Sequence, residues 1–517
     1  MPAVKPRLQF WQIINMNLGF FGIQYSFGLQ QSAVNPIYDF LGARPDEIPL
    51  LNLAGPLTGL IIQPIIGALS DKTWHPVWGR RKPYFFIGAL LCSLALFFYP
   101  FSSALWMAVG LLWILDIGNN TAMEPYRAFI ADKLDEEQQP TGFLAQSFFT
   151  GVGQTLANLS LFIFPMIIIG RTGALPNWVF ASFILGAVCS IATIWWSMRT
   201  TSEIPPTPAE IQEIKLYQQD KPHPIIQLAG VLFVVLAGPF AGWLYVRHLV
   251  DPAFMGLVIL LLSIGWIVFL YVVLKHFQQL PFAKFLCSVL APFFAIADAI
   301  RDMPIVMWQL GLVYLFQWYA LFCYWQNSAK CVAENVYGWI SPIKQVFSTP
   351  SAAAANNLLF EKAVSWTGLV NAWYNVVTFL VAFVLVGMAK RFGAKWVHAV
   401  CLVLVGIGLL VFSQVTNPYL LFIAITGFGI AWASMMGVPY LLVIQQIPPS
   451  KYGVYMGIIN MMIVIPMFIQ TTTFGAIMNR YLDNDASQAV GFAGILLLLA
   501  ALMTLRIKTN NISSSYR

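Results

Sequence analysis

Charge is what this sequence has least of. Asp, Glu, Lys and Arg make up 9% of its 517 residues against 59% hydrophobic ones, and the mean hydropathy is +0.72. Soluble domains carry about 25% charged residues, so a water-facing surface cannot be built from this chain. Cysteine is sparse too: six residues, no CxxC spacing, most of them inside apolar blocks where a thiol behaves as a small hydrophobe. The five histidines fall at helix ends or in loops, and there is no HExxH, no GxSxG and no phosphate loop, so neither an enzyme nor a metal site is expected. The excess of 28 Lys and Arg over 21 Asp and Glu is read as loop charge, not as a nucleic-acid footprint.

What is present is a series of apolar blocks of about 20 residues, the length at which a helix crosses the hydrocarbon of a bilayer. They predict spanning helices at 10–36, 49–70, 83–101, 104–126, 142–169 and 176–198, then 225–247 and 253–274, and finally 305–330, 364–388, 396–413, 418–446, 454–478 and 488–506. The first lacks a small-residue cleavage site and reads as a retained helix, not a signal peptide. Fourteen is an even number, so both termini are expected on one side. The loops of that side hold most of the Lys and Arg, including Arg80, Arg81 and Lys82, which makes it cytoplasmic. The stretch 199–224, with five prolines, marks a seam. Residues 1–200 are expected to form a six-helix N-terminal half. Residues 201–304 form a linker with two extra transmembrane helices and an interfacial amphipathic segment at 281–303, and 305–517 a six-helix C-terminal half. The stretch 331–363 reads as a flexible surface loop.

An ionisable side chain inside the bilayer costs about 2.5–3.5 kcal/mol even on insertion scales, so each one found there is a site candidate. Asp116 lies mid-block in WILDIGNNTAMEPYRAF, with Asn120, Met123 and Arg127 on the same helical stripe and no Lys or Arg within two turns of it. A proton or substrate site is therefore preferred to a permanent structural pair. Glu124, near the cytoplasmic end of the helix, fits an interfacial salt bridge better, with proton coupling as the other reading. The first helix carries Asn17, Gln24, Gly28, Gln31 and Asn35 along one face. The second repeats the pattern with Asn52, Pro56, Gly59 and Gln63, and the fifth with Gln146, Gln154 and Asn158. Amide bonds between membrane helices are worth about 0.6–2 kcal/mol each, and helix association hardly requires so many. In VYLFQWYALFCYWQN, Tyr314, Gln317, Leu321 and Tyr324 share a face beside Trp318 and Trp325. Aromatic rings with amides suit a sugar, whose C–H faces stack while its hydroxyls exchange hydrogen bonds, although Trp325 also fits an interfacial belt.

Gly67 to Asp71 followed by Gly79, Arg80, Arg81 and Lys82 resembles the GxxxD…GR[RK] signature of the major facilitator superfamily. The run GPLTGLIIQPIIGALSDKTWHPVWGRRKPYF is similar to the glycoside-type proton symporters that include plant sucrose transporters and their animal relatives. Trp113 to Thr121 with Arg127 to Asp132, Gly457 to Pro466 around Asn460, and FGIQYSFGLQQS with Gln24, Gln30 and Gln31 match the same group. The resemblance covers both halves but not 205–300. Plant members usually have glycine where Glu124 stands, and the second-half counterpart, Gly387 to Gly393, lacks the aspartate.

The resemblance implies an all-α integral membrane protein of the major facilitator fold, six plus six helices, taking up a disaccharide such as sucrose or maltose with protons by alternating access. Asp116 would take the proton and bond the sugar, with Glu124 as the second coupling candidate. Asn119, Asn120 and Asn460 would join the amides and aromatics above in the cavity. Asp71, Arg80, Arg81, Arg127 and Asp132 would gate it. The expected partners are the sugar and membrane lipids, with no cofactor beyond the proton and no nucleic acid, for a monomer in the cell membrane, or the inner membrane if bacterial. A sodium-coupled carrier, a drug–proton antiporter and a non-transporting receptor stay open as alternatives. Reporters fused after Lys221 and after Lys275 should both be cytoplasmic, because 225–274 crosses twice; opposite locations would sink the fourteen-helix topology.

Overall fold

In a computed structural model of the chain, the described residues are 5–71, 73–135, 138–173, 175–205, 211–212, 265–266, 300–301, 303–341, 349–444 and 452–508. Among them are twelve long helices, the only backbone form besides a closed barrel that satisfies its own polar groups in hydrocarbon. Before residue 205 come α1 (Phe10–Phe40), α2 (Ala54–Asp71), α3 (Lys82–Phe98), α4 (Leu105–Lys133), α5 (Gln139–Ile167) and α6 (Asn177–Thr200). After residue 303 come α7 (Ile305–Tyr337), α8 (Pro350–Phe392), α9 (Ala394–Phe412), α10 (Leu420–Ile444), α11 (Tyr452–Tyr481) and α12 (Ala486–Leu505). The expected pair at 225–274 and the segment at 281–303 lie, apart from a few residues, outside the described residues. Seven of the described stretches are long and apolar enough to cross a membrane, so the chain is a multi-pass membrane protein. Helices α1 and α4 are not among the seven, because amides interrupt their apolar stretches.

The packing repeats. In the first six helices α1 lies against α5 and α6, α3 against α4 and α6, and α2 against α4. In the second six α7 lies against α11 and α12, α9 against α10 and α12, and α8 against α10. The two groups meet chiefly along α5 and α8, with α2 against α11 and the end of α1 against α7. One end of the bundle, the terminal face, gathers residues 5–9, 73–82, 132–135, 138 and 198–203; there Gln138 accepts from the Leu8 N–H at 2.9 Å and donates to its carbonyl at 2.7 Å. The opposite end, the far face, holds the ends of α1, α5, α7 and α11.

Four boundaries differ from the sequence expectation. The stretch 331–363 is helical at both ends rather than a loop: α7 continues to Tyr337 before Gly338 takes a left-handed conformation, and α8 starts at Pro350. Proline in the first helical turn and a Thr349 side chain accepting from the Ala352 N–H form a helix start. The four alanines that follow have the highest helix propensity of any residue. Likewise α1 passes Pro36 and ends at Phe40, and α4 passes Pro125 and ends at Lys133.

Helices α1 and α6 approach at backbone distance because Gly22 has no side chain. A Cβ there would stand 2.6 Å from the Cys189 carbonyl oxygen and 2.7 Å from the Ser190 Cα. Replacing Gly22 by leucine should therefore destabilise the protein by about 1–3 kcal/mol, the range for overpacking. A thermal melt in detergent checks this, and a melt at or above the parent's would mean that the contact is loose.

Candidate functional site

Asp116 sits in the middle of α4, 2% exposed. Its Oδ1 accepts from the Gln30 side-chain N–H of α1 at 2.8 Å, while Oδ2 is buried without a hydrogen-bond partner among the described residues. Across from Oδ2 stands Gly55 of α2, where even an added Cβ would be 3.8 Å away. The described partner of this carboxyl is thus an amide and not a cation. A neutral amide leaves an acid free to change protonation, whereas a salt bridge would pin it as the anion.

The next turn of α4 fans out to three helices. Asn119 donates to Ser26 Oγ of α1 at 3.1 Å and accepts from the Cys92 thiol of α3 at 3.1 Å. Asn120 donates to Thr58 Oγ1 of α2 at 3.0 Å and accepts from Gln63 of the same helix at 2.7 Å. On the other flank of α1, Gln154 of α5 donates to Gln24 at 2.9 Å, and its side-chain oxygen is buried without a partner among the described residues. Asn158 donates back to the Gln154 backbone carbonyl, leaving its side-chain oxygen likewise unpartnered. Gln31 is half-buried beside Gln30, and it is Gln30 that reaches Asp116. Asn35 and Asn52 bond each other at 2.7 Å, with Asn52 in the turn before α2 rather than in the helix.

In the second half, α7 carries Gln317, fully buried, with neither side-chain polar atom hydrogen-bonded among the described residues. The adjacent Trp318 has a buried indole N–H in the same condition, and its ring stands edge-on to Tyr314 at 6.5 Å and to Trp432 of α10 at 5.8 Å. Trp432 also meets Trp325 at 5.5 Å, so three indoles form one cluster. Tyr324 donates to Asn371 of α8 at 3.0 Å, and Asn371 donates to Ser32 of α1 at 2.9 Å, a chain that ties the halves together mid-bundle. Asn460 is half-buried on α11.

At the terminal face the buried Arg81 guanidinium donates to Asp132 at 2.8 Å and to Ser70 at 2.6 Å. Arg127 is exposed, Asp71 ends α2, and the side chains of Asp71 and Glu124 lie outside the described residues. A carboxylate that the sequence reading missed organises this face. Glu203, just past α6, accepts from the backbone N–H groups of Arg80 at 2.6 Å and of Arg81 and Lys82 at 2.9 Å. These are the orphan donors at the start of α3, a position where the helix dipole also favours an anion. Gly79 makes room for it: its φ is +78°, and a Cβ would lie 2.5 Å from the Glu203 carboxyl carbon.

A multi-pass bundle of paired six-helix groups, with polar side chains turned inward and charge networks at its ends, defines the class of membrane carriers. A family model of the Major Facilitator Superfamily matches residues 16–337, more than half of the chain, and the protein belongs to that superfamily. It is 29% identical over 281 residues to the sucrose transport protein SUT2 of Oryza sativa subsp. japonica, covering 48% of this chain and 52% of that one. To the sucrose transport protein SUC3 of Arabidopsis thaliana it is 29% identical over 157 residues, 26% of each chain. The matches thus span about half, or less, of these relatives' length. Among solved structures, the POT family transporter PepTSo superposes with a TM-score of 0.62 at 13% identity, over 97% of this chain and 98% of that one. The xylose transporter XylE from E. coli, in a partially occluded inward open conformation, gives 0.56 at 13% identity, over 98% and 100%. Both likenesses concern the fold.

Replacing Glu203 by alanine leaves three backbone donors at the start of α3 without their acceptor and should cost about 1–3 kcal/mol of stability. The measurement is thermal unfolding of purified protein, and an unchanged melt would show that water serves the three donors equally well.

Proposed function

We propose that the protein is a secondary carrier of a sugar, a disaccharide such as sucrose or maltose, coupled to protons and working by alternating access. The observation that carries the proposal is Asp116: a mid-membrane carboxyl held by an amide, with its second oxygen buried and unpartnered. A buried polar atom without a partner costs about 1–3 kcal/mol, so a row of them calls for a ligand that satisfies them. Asp116, Gln154 and Asn158 in one half, with Gln317 and Trp318 in the other, form such a set. A sugar fits both kinds of surface, since its hydroxyls donate and accept while its ring faces lie against indoles. The sucrose transport proteins named above support the choice of sugar.

In the proposed cycle, protonated Asp116 donates a hydrogen bond through Oδ2 to a sugar hydroxyl while Oδ1 keeps its bond from Gln30. Loss of the proton on the cytoplasmic side removes that donor, weakens sugar binding and releases the substrate. The terminal face is assigned to the cytoplasm and the far face to the outside, from the basic residues of the loops. The Arg81–Asp132–Glu203 network then steadies the cytoplasmic end of the first half.

The test is uptake of labelled sucrose, maltose and glucose by proteoliposomes under an imposed pH gradient, with a sodium gradient as the alternative drive. Asp116→Asn should abolish uphill accumulation, because an amide keeps the hydrogen-bonding shape but neither binds nor releases a proton. Some downhill exchange should survive in Asp116→Asn and be lost in Asp116→Ala, whereas Glu124→Gln should still concentrate sugar. If Asp116→Asn accumulates sugar and Glu124→Gln does not, the proton travels through the wrong acid for this scheme.

A further inference from the structure

The amide that holds Asp116 has an oxygen to spare. Gln30 of α1 donates through Nε2 to Asp116 Oδ1 at 2.8 Å, while its own Oε1 is buried and has no hydrogen-bond partner among the described residues. One turn along the same two helices Asn119 donates to Ser26 at 3.1 Å, so α1 is fixed to α4 at two successive levels. An amide group is planar, and with Nε2 held by the acid the direction of Oε1 is held too. The other first-half amides with leftover oxygens, Gln154 and Asn158, make their bonds to Gln24 and within α5, away from the acid.

The unpartnered oxygens of Gln30 and Asp116 lie at the two ends of one hydrogen-bonded unit, and they ask different things of a ligand. Oε1 can only accept, so its partner must donate. Oδ2 of the protonated acid donates, so its partner must accept. A compound with ether or carbonyl oxygens alone serves Oδ2 and leaves Oε1 bare, and an ammonium group does the reverse. A polyol serves both with two hydroxyls, one accepting and one donating. Donation from Nε2 also polarises the amide and strengthens Oε1 as an acceptor, since hydrogen bonds in a chain reinforce one another.

From this we infer that Gln30 is a specificity-determining residue: its Oε1 accepts a hydrogen bond from a second hydroxyl of the sugar whose first hydroxyl meets Asp116. The inference rests on the sugar reading above and sharpens it, because it requires that second hydroxyl to act as a donor. The competing role for Oε1 is to take the proton of Asp116 itself, closing acid and amide on each other. The first role discriminates one hydroxyl of the ligand, and the second discriminates none.

The test is competition for labelled sucrose on purified full-length protein, or for labelled maltose where the parent takes only that. The competitors are analogues of the same sugar in which one hydroxyl at a time is replaced by hydrogen or by fluorine, neither of which donates. In the parent, both analogues at one position should bind about tenfold or more weakly than the sugar, because a buried acceptor is left bare. In Gln30→Met that position should cease to matter. The sugar weakens by at least the same factor, its two analogues there compete as well as it does, and discrimination at other positions is kept. If Gln30→Met weakens sugar and analogues alike and keeps every discrimination, the inference is overturned, and Oε1 belongs to the acid or to the packing. Where the methionine variant is not recovered as folded, monodisperse protein, Gln30→Asn replaces it: it keeps an amide but draws it back by one carbon, and the same two outcomes decide. A parent that binds neither sugar overturns the sugar reading and this one together, whereas a parent that discriminates regardless of Gln30 overturns this one alone.

Discussion

Hydrocarbon offers no hydrogen bonds, and every polar side chain on a spanning helix must find its partner inside the bundle or at its ends. This constraint sorts the twelve helices. Of those rich in amides, α1 bonds to α4 through Gln30 and Ser26 and to α8 through Ser32, and apolar helices such as α3, α9 and α12 pack behind them. Asp116, Asn119 and Asn120 lie within two turns of α4 yet bond to three different helices, so the centre of the first half is a hydrogen-bonded hub more than a greasy core. The atoms left over from that pairing mark where a polar guest would be welcome.

The two halves contribute differently to that space. The first brings an acid and amide oxygens, with Asp116, Gln154 and Asn158 showing unpartnered acceptors. The second brings indoles and one amide, with Trp318 showing an unpartnered donor. A hydroxyl is donor and acceptor at once and can bridge both, which no aliphatic drug and no bare ion does.

Much of this was legible from the chain alone, for a physical reason. Apolar block length reports bilayer thickness, so helix existence and type were readable, as was the oddity of an aspartate inside one. Periodicity on a single helix identified the polar faces of α1, α4 and α7. It did not identify which face meets which: Gln30 rather than Gln31 serves Asp116, and Ser26, Thr58 and Cys92 complete the hub, because partners dozens of residues apart leave no mark on local spacing. Asp39 at the end of α1 and Lys330 of α7, a buried ion pair 2.6 Å apart, escaped for the same reason, each looking like an ordinary charge near a helix end. Glu203 was hidden by its setting, since a lone acid in a polar stretch gives no sign of the backbone donors it will cap. The start of α8 was misread because polarity outweighed local cues, although Thr349, Pro350 and the alanine run spell a helix beginning.

The close seating of α1 against α5 and α6 has a mechanical consequence. With backbones in near contact at Gly22, and with the Gln154–Gln24 bond on the opposite flank, α1 cannot bend or slide independently and must travel with its neighbours as one stiff beam. Its 31 residues make that beam about 46 Å long at 1.5 Å per residue. A tilt of about 10° around its midpoint displaces either tip by roughly 4 Å, while near the pivot Gln24 moves by about 0.3 Å and Gln30 by about 1.3 Å. Leverage of this kind lets the bonds of Gln24 and Gln30 keep their geometry while the Asp39–Lys330 pair at the tip is pulled well beyond contact, so gain in amplitude is built into the stiffness of a single helix.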